Sequence, residues 1–222
     1  EAAAGDDVFA VMVELVQGEG GVLPLDKEYV QAVAKLCGEK DWLLLVDEVQ
    51  TGVGRTGTLF AFQQYGILPD VVSFAKGIAG GLPFGGVMAN EKCRNVFTPG
   101  THGTTFGGSP LACAAAHAVL SELDEGGYRE KIKEVGAYLS DALSALDHVV
   151  EVRGKGLMIG CDLAEGMPDA HDIVAAMLDE GFVLNATGPR TLRLLPPLIC
   201  EKSHADAFVE ALDRVLEKVS QS

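Results

Sequence analysis

Three nearly continuous apolar runs mark the first third of the chain: residues 8–13, 43–46 and 71–74. They lead into Glu14, Asp47 and, one alanine further on, Lys76. Short Leu/Val runs bounded by polar residues and glycine predict strands buried on both faces of a parallel sheet. Between the first two runs the period changes. Tyr29, Val30, Val33, Leu36 and Cys37 recur at helical spacing, and Asp26 stands where an N-cap belongs. A strand–helix–strand unit with a right-handed crossover is therefore expected. One more strand is expected at 87–89, and Pro110 opens a small-residue helix over 111–123.

After Gly126-Gly127 the rhythm differs. A long amphipathic helix is predicted over 128–146, then strands at 149–153 and 157–162, a helix at 170–180, strands at 182–184 and 191–194, and a closing helix at 202–219. The fold class expected is α/β. Residues 1–127 form part of a mostly parallel sheet domain with flanking helices; residues 128–222 form a connecting helix and a smaller α+β domain. The links include a glycine-rich turn at 17–21, a flexible loop at 51–57 and a polar, glycine-rich stretch at 101–109.

Composition narrows the function classes. The formal net charge of the 222 residues is −15. So acidic a chain is poorly suited to nucleic acid or anionic membranes, where Lys and Arg must meet phosphate. The five cysteines are widely spaced, with neither a disulfide framework nor a metal-ligand spacing. No apolar run reaches the roughly 18 residues of a membrane span, and no signal peptide is evident. Reduced thiols in the cytoplasm are the expectation.

In open α/β sheets the ligand crevice lies at the carboxyl ends of the strands. Asp47 and Lys76 fall at such ends. An acid and an amine at neighbouring strand ends are what pyridoxal phosphate chemistry requires: the amine bonds the cofactor, and the acid keeps the pyridine nitrogen protonated. The amine must be neutral to attack, so burial and nearby cationic character are expected around Lys76. Other readings fit less well. Asp47-Glu48 after four aliphatic residues also suits a nucleotide-binding strand, but Thr58 stands where the phosphate-loop lysine belongs. Gly52, Gly54 and Gly57 satisfy GxGxxG without a strand entering it directly or a clear helix leaving it. His102 is read as structural, and no acyl-transfer motif is present. Arg193, between two leucines, reads either as a solvated edge residue or as a partly buried carboxylate binder.

Five segments in order resemble the class III aminotransferases, the ω-amino-acid branch of the fold type I pyridoxal phosphate enzymes, and its acetylornithine members in particular. They are Glu14-Leu15-Val16-Gln17-Gly18-Glu19-Gly20-Gly21, Leu45-Val46-Asp47-Glu48-Val49-Gln50-Thr51-Gly52, Phe74-Ala75-Lys76-Gly77, His102-Gly103-Thr104-Thr105-Phe106-Gly107-Gly108 and Leu192-Arg193-Leu194. Leu15 departs from the family's usual proline. The resemblance implies that Lys76 is catalytic and carries pyridoxal 5'-phosphate. It implies cofactor contacts from Asp47, Glu48, Val49 and Gln50, and from Thr105 across a homodimer interface. It places Glu19, Thr104 and Arg193 at the substrate, with Arg193 on the α-carboxylate of 2-oxoglutarate or glutamate and Glu19 masking it in the other half-reaction.

The implied activity moves the distal amine of N-acetylornithine or ornithine to 2-oxoglutarate in arginine biosynthesis. Succinyl-diaminopimelate and 4-aminobutyrate remain open as donors, as does an inactive fragment. The resemblance spans the C-terminal half of a family member. A missing N-terminal half, in the same or a separate chain, is expected to supply the phosphate cup, an aromatic stacked on the ring and a substrate arginine. The 222 residues alone are expected to lack activity and to expose apolar surface.

Overall fold

The computed structural model describes residue 5 and residues 7–220. They divide into two compact units. The first comprises the described residues up to Leu15 together with Leu25–Val53 and Thr58–Gly126; the second comprises Val16–Pro24, Gly54–Gly57 and the described residues from Gly127 onward.

The apolar runs of the first unit become strands of one sheet. β1 (Ala10–Glu14) pairs in parallel with β4 (Leu43–Asp47), and β4 pairs in parallel with β5 (Val71–Phe74). β6 (Gly86–Ala89) closes the other flank antiparallel, giving the order β1-β4-β5-β6. Helix α1 (Lys27–Lys40) is capped by Asp26, whose carboxylate accepts from the Tyr29 amide at 2.8 Å, and it ends at Asp41 in the left-handed region. Val30 and Cys37 of α1 join Leu15, Leu44, Val46, Ala61 and Tyr65 in the core. A short helix α2 (Phe62–Tyr65) carries Tyr65, whose hydroxyl lies 2.9 Å from the Leu15 carbonyl and 3.1 Å from that of Leu25. Helix α3 (Pro110–Glu125) begins at the Ser109 cap with Pro110 in its first turn and packs on the 3-10 turn Lys76–Ala79.

In the second unit, β7 (Val149–Lys155), β8 (Met158–Leu163), β10 (Thr191–Leu194) and β9 (Asn185–Ala186) form an antiparallel sheet in the order β7-β8-β10-β9. Helices α4 (Tyr128–Ser144), α5 (Ala170–Asp179) and α6 (Lys202–Ser220) cover it. Leu139, Ile159, Ile173, Met177, Leu192 and Leu212 are among its core residues. A two-strand hairpin, β2 (Val16–Gln17) with β3 (Leu23–Pro24), belongs to this unit as well. Val16 and Val22 pack with Met158.

Two expectations are corrected. The strand expected at 182–184 forms at Asn185–Ala186 instead, because Phe182 and Leu184 turn into the helical core of the unit. The loop at 51–57 is not a flexible one: Thr51, Val53 and Thr56 are buried. Glu48 is fully buried and ties the first part, accepting from the Thr51 hydroxyl and, at 2.8 Å, from the Phe62 amide. Arg55 pins the second part, donating to the carbonyls of Leu157 at 3.0 Å and Pro196 at 2.6 Å. Burial pushes the Arg55 guanidinium down to about 10, so it keeps its charge at neutral pH.

Candidate active site

Parallel pairing brings Asp47 and Lys76 to one edge of the first unit's sheet. Asp47 ends β4 and is in register with Ser73 of β5; three residues later the chain reaches Lys76. Both therefore stand at the carboxyl ends of adjacent parallel strands. Asp47 is half-buried. Its Oδ1 accepts from the Val49 amide at 2.8 Å, which orients the carboxylate; Oδ2 has no hydrogen bond among the described residues. Ser73, beside it, holds a buried hydroxyl with no hydrogen-bond partner among the described residues. A buried polar atom without a partner costs about 1–3 kcal/mol, so it marks a place suited to another polar group.

Lys76 is exposed, and its ammonium has neither a hydrogen bond nor an ion pair among the described residues. The burial expected around it is therefore not found: the described residues leave its side chain open to solvent. Its backbone is unusual, with φ of 50°. A non-glycine residue held there costs on the order of 1–3 kcal/mol, and such residues concentrate at functional sites. The strain turns the chain sharply out of β5 into the 3-10 turn at Lys76–Ala79.

Glu48 is corrected as a cofactor contact. Both its oxygens already serve the 51–62 loop, and burial raises its pKa despite the Thr51, Ala61 and Phe62 hydrogen bonds. It braces the loop that follows β4. Val49 and Gln50 are half-buried in the turn beside Asp47. Thr104 and Thr105 lie exposed in the segment that leads to α3; Thr104 Oγ1 accepts from the Gly107 amide at 3.1 Å. His102 packs against Phe97 with ring centroids 5.5 Å apart and the ring planes tilted by 48°. Val96, Phe97, Phe106 and Leu111 around this segment are all exposed apolar residues.

The second unit holds the other expected pair. Arg193 is buried on β10, its side chain 8% exposed, and its Nη1 donates to Glu19 Oε1 at 2.8 Å; the Glu19 side chain is 75% exposed. Arg193 Nε donates to Asn185 Oδ1 at 2.9 Å. The solvated-edge reading of Arg193 is thereby excluded. Ser73, Asn185, Arg153 and Asp162 were missed in the sequence. Strand alternation could have flagged Thr191 beside Arg193 on the same face, but nothing local points to Ser73 or Asn185. Among the described residues no group of His, Cys, Asp and Glu could hold a metal ion, and no helix is long and apolar enough to cross a membrane.

A free carboxylate oxygen, an orphan hydroxyl and an unpartnered amine at one sheet edge fit a heterocyclic cofactor that bonds covalently to lysine. Comparison with known proteins agrees with that chemistry. The chain belongs to the class-III aminotransferases, whose family profile matches residues 1–216. The family is pyridoxal-phosphate dependent. The acetylornithine aminotransferase of Caldanaerobacter subterraneus is 45% identical over 221 residues, 98% of this chain and 56% of the relative. That of Methanocaldococcus jannaschii is 45% identical over 223 residues, 99% of this chain and 55% of the relative. Among solved structures, N-acetylornithine aminotransferase from Stenotrophomonas maltophilia superposes with a TM-score of 0.89 at 34% identity, covering 98% of this chain and 58% of that one. Ornithine δ-aminotransferase of Plasmodium falciparum gives 0.89 at 35% identity, covering 97% of this chain and 58% of that one. The chain thus spans about half the length of the curated relatives it matches.

Proposed function

We propose that this chain supplies the lysine-bearing part of an ω-aminotransferase that moves the distal amine of N-acetylornithine, or of ornithine, to 2-oxoglutarate in arginine biosynthesis. The observation that carries the reading is the pairing of β4 with β5, which sets the Asp47 carboxylate and the Lys76 amine on the ends of adjacent parallel strands. The names of the relatives support the donor. Residues 1–127 are read as part of the large cofactor-binding domain and 128–222 as the connecting helix and small domain. The reading includes a cytoplasmic homodimer with the cofactor site at its interface.

When bound, pyridoxal phosphate supplies an electron sink that makes a substrate C–H bond acidic. The protein's residues do the rest. Asp47 Oδ2 would accept a hydrogen bond from the protonated ring nitrogen, while the Val49 amide holds Oδ1 and so fixes the carboxylate's orientation. The Ser73 hydroxyl is a further polar contact beside it. Gln50 is assigned to the ring hydroxyl, Val49 to a ring face, Thr104 to the substrate, and Thr105 to cofactor phosphate in the partner protomer. Lys76 Nζ would hold the cofactor, and as the base at the reacting carbon it would take a proton from the substrate and return it elsewhere. Arg193 receives the α-carboxylate of 2-oxoglutarate or glutamate by two parallel hydrogen bonds. Glu19 covers that guanidinium while the distal-amine donor, which carries no carboxylate at that position, is bound. The donors succinyl-diaminopimelate and 4-aminobutyrate differ from N-acetylornithine mainly in what lies beyond the reacting amine, and a donor panel distinguishes them.

The test is spectroscopic. The purified holoprotein is expected to show the visible band of a lysine-bound cofactor. In Lys76→Ala that band is lost and turnover falls at least about a hundredfold, as for loss of a positioned acid–base group. A band that survives Lys76→Ala refutes the assignment.

A further inference from the structure

Four strands of the second unit place four residues on a single line across the sheet. Arg153 of β7 pairs with Gly160 of β8, Gly160 with Arg193 of β10, and Arg193 with Asn185 of β9. Directly opposed residues project from the same face. Between the two arginines Gly160 has no side chain, and the 18–22 turn occupies that space: a Cβ at Gly160 would meet Gly21 O and Val22 Cβ, each at 3.0 Å.

The turn is gripped from both sides. Arg193 Nη1 donates to Glu19 Oε1 at 2.8 Å, and Arg153 Nε donates to the Gly21 carbonyl at 2.9 Å. Arg153 is in turn held as a fork by Asp162, Nη2 to Oδ1 at 2.9 Å and Nη1 to Oδ2 at 2.8 Å. Asp162 Oδ1 also accepts from the Thr191 hydroxyl at 2.6 Å. Arg153 is 13% exposed, so solvent screens these contacts little. Its grip holds in place a backbone that is unfavourable at one residue: Gly21 sits at φ 113°, which glycine accepts, but the buried, β-branched Val22 sits at φ 54°.

We propose that Arg153 is the positioning residue for the Glu19–Arg193 pair. By anchoring the turn at Gly21, it fixes the backbone beneath Glu19, so that covering and uncovering Arg193 needs only rotation of the exposed Glu19 side chain. The proposal rests on the reading of Glu19 and Arg193 given above. Lysine cannot replace this arginine, because one ammonium cannot hold both Asp162 oxygens as a fork and the Gly21 carbonyl with a third N–H. With the turn loosened, Glu19 loses its fixed approach to Arg193 and competes less well with an incoming carboxylate.

The experiment uses the full-length holoenzyme and three variants, Arg153→Lys, Glu19→Gln and the double. Two quantities are measured: the ratio of kcat/KM for glutamate to that for N-acetylornithine, and the affinity for glutarate by calorimetry. Glu19→Gln is expected to raise the ratio and tighten glutarate. Arg153→Lys is expected to do the same by about three- to tenfold, the scale of couplings within one hydrogen-bond network. The double variant is expected to match Glu19→Gln within about twofold, since Arg153 acts only through Glu19. Should Arg153→Lys slow both half-reactions equally, leave glutarate unchanged or add fully to Glu19→Gln, Arg153 is merely structural and the proposal is overturned. Should Glu19→Gln itself change neither quantity, the covering role of Glu19 is wrong and the proposal falls with it. If Arg153→Lys does not fold, Asp162→Asn, which weakens the fork, is judged by the same criteria.

Discussion

The two units use charge in opposite ways. At the lip of the parallel sheet, Lys76 has no partner and Asp47 keeps one oxygen free among the described residues, while the Ser73 hydroxyl is buried without a bond. On the antiparallel sheet, Arg153, Asp162, Thr191, Arg193 and Asn185 are tied to one another or to the 18–22 turn. The first arrangement leaves groups available for a ligand and accepts a local cost in stability. The second holds its arginines rigid before anything binds, so that little ordering is left for the moment of recognition. On the function proposed above, chemistry and recognition draw on different kinds of order.

The comparison can be sharpened by substitution. The largest effect is expected in the satisfied unit's core: Leu212→Ala removes a fully buried side chain beneath that sheet and should cost about 2–5 kcal/mol in urea unfolding. A loss below about 1 kcal/mol would mean that this core is looser than its burial implies. Acid comes next. Burial alone would raise the Asp162 pKa, but the Arg153 and Thr191 hydrogen bonds outweigh it and hold the carboxyl below its ordinary value. Its folded-state pKa is depressed, so its contribution is complete above the unfolded value near about pH 4 and disappears as pH falls through the folded one. Charge-assisted hydrogen bonds worth about 1.5–3 kcal/mol are at stake. Unfolding free energy followed below pH 4 should therefore decline less steeply in Asp162→Asn; equal slopes would remove Asp162 from the account. The smallest effect belongs to the open site. Ser73→Ala deletes an unsatisfied hydroxyl and should raise the stability of cofactor-free protein by about 1 kcal/mol while weakening cofactor retention. Destabilisation of the cofactor-free form would show that the hydroxyl already has a partner.

Much of the first unit was legible because its strands read as unbroken apolar runs, although burial on both faces is not found among the described residues: in β4 only Leu44 and Val46 are fully buried, and Met12 of β1 is 60% exposed. The caps at Asp26 and Ser109-Pro110 followed from local rules. What could not be read depends on partners distant in sequence. Glu48 looked like a neighbour of Asp47 facing the same cofactor, yet alternation turns it inward, where Thr51 and the Phe62 amide take up its oxygens. The polar 51–57 stretch looked mobile because its anchors, Leu157 and Pro196, lie more than a hundred residues away. The assignment of Val16–Pro24 to the second unit was equally hidden, since Gly160 offers a seat only once β7, β8 and β10 are in register. Phe182 and Leu184 are apolar enough for a strand, but the core of α5 and α6 claims them first.

Position 76 carries a further implication. Its left-handed φ is a conformation that glycine adopts freely and lysine does not. Judged by foldability alone, the amine is the wrong side chain for that spot, and a chain freed from any need for it would gain by shedding it. On the function proposed above, reactivity is seated on a residue whose own backbone conformation opposes it, a trait that only Asp41 and Val53 share among the described non-glycine residues of the first unit.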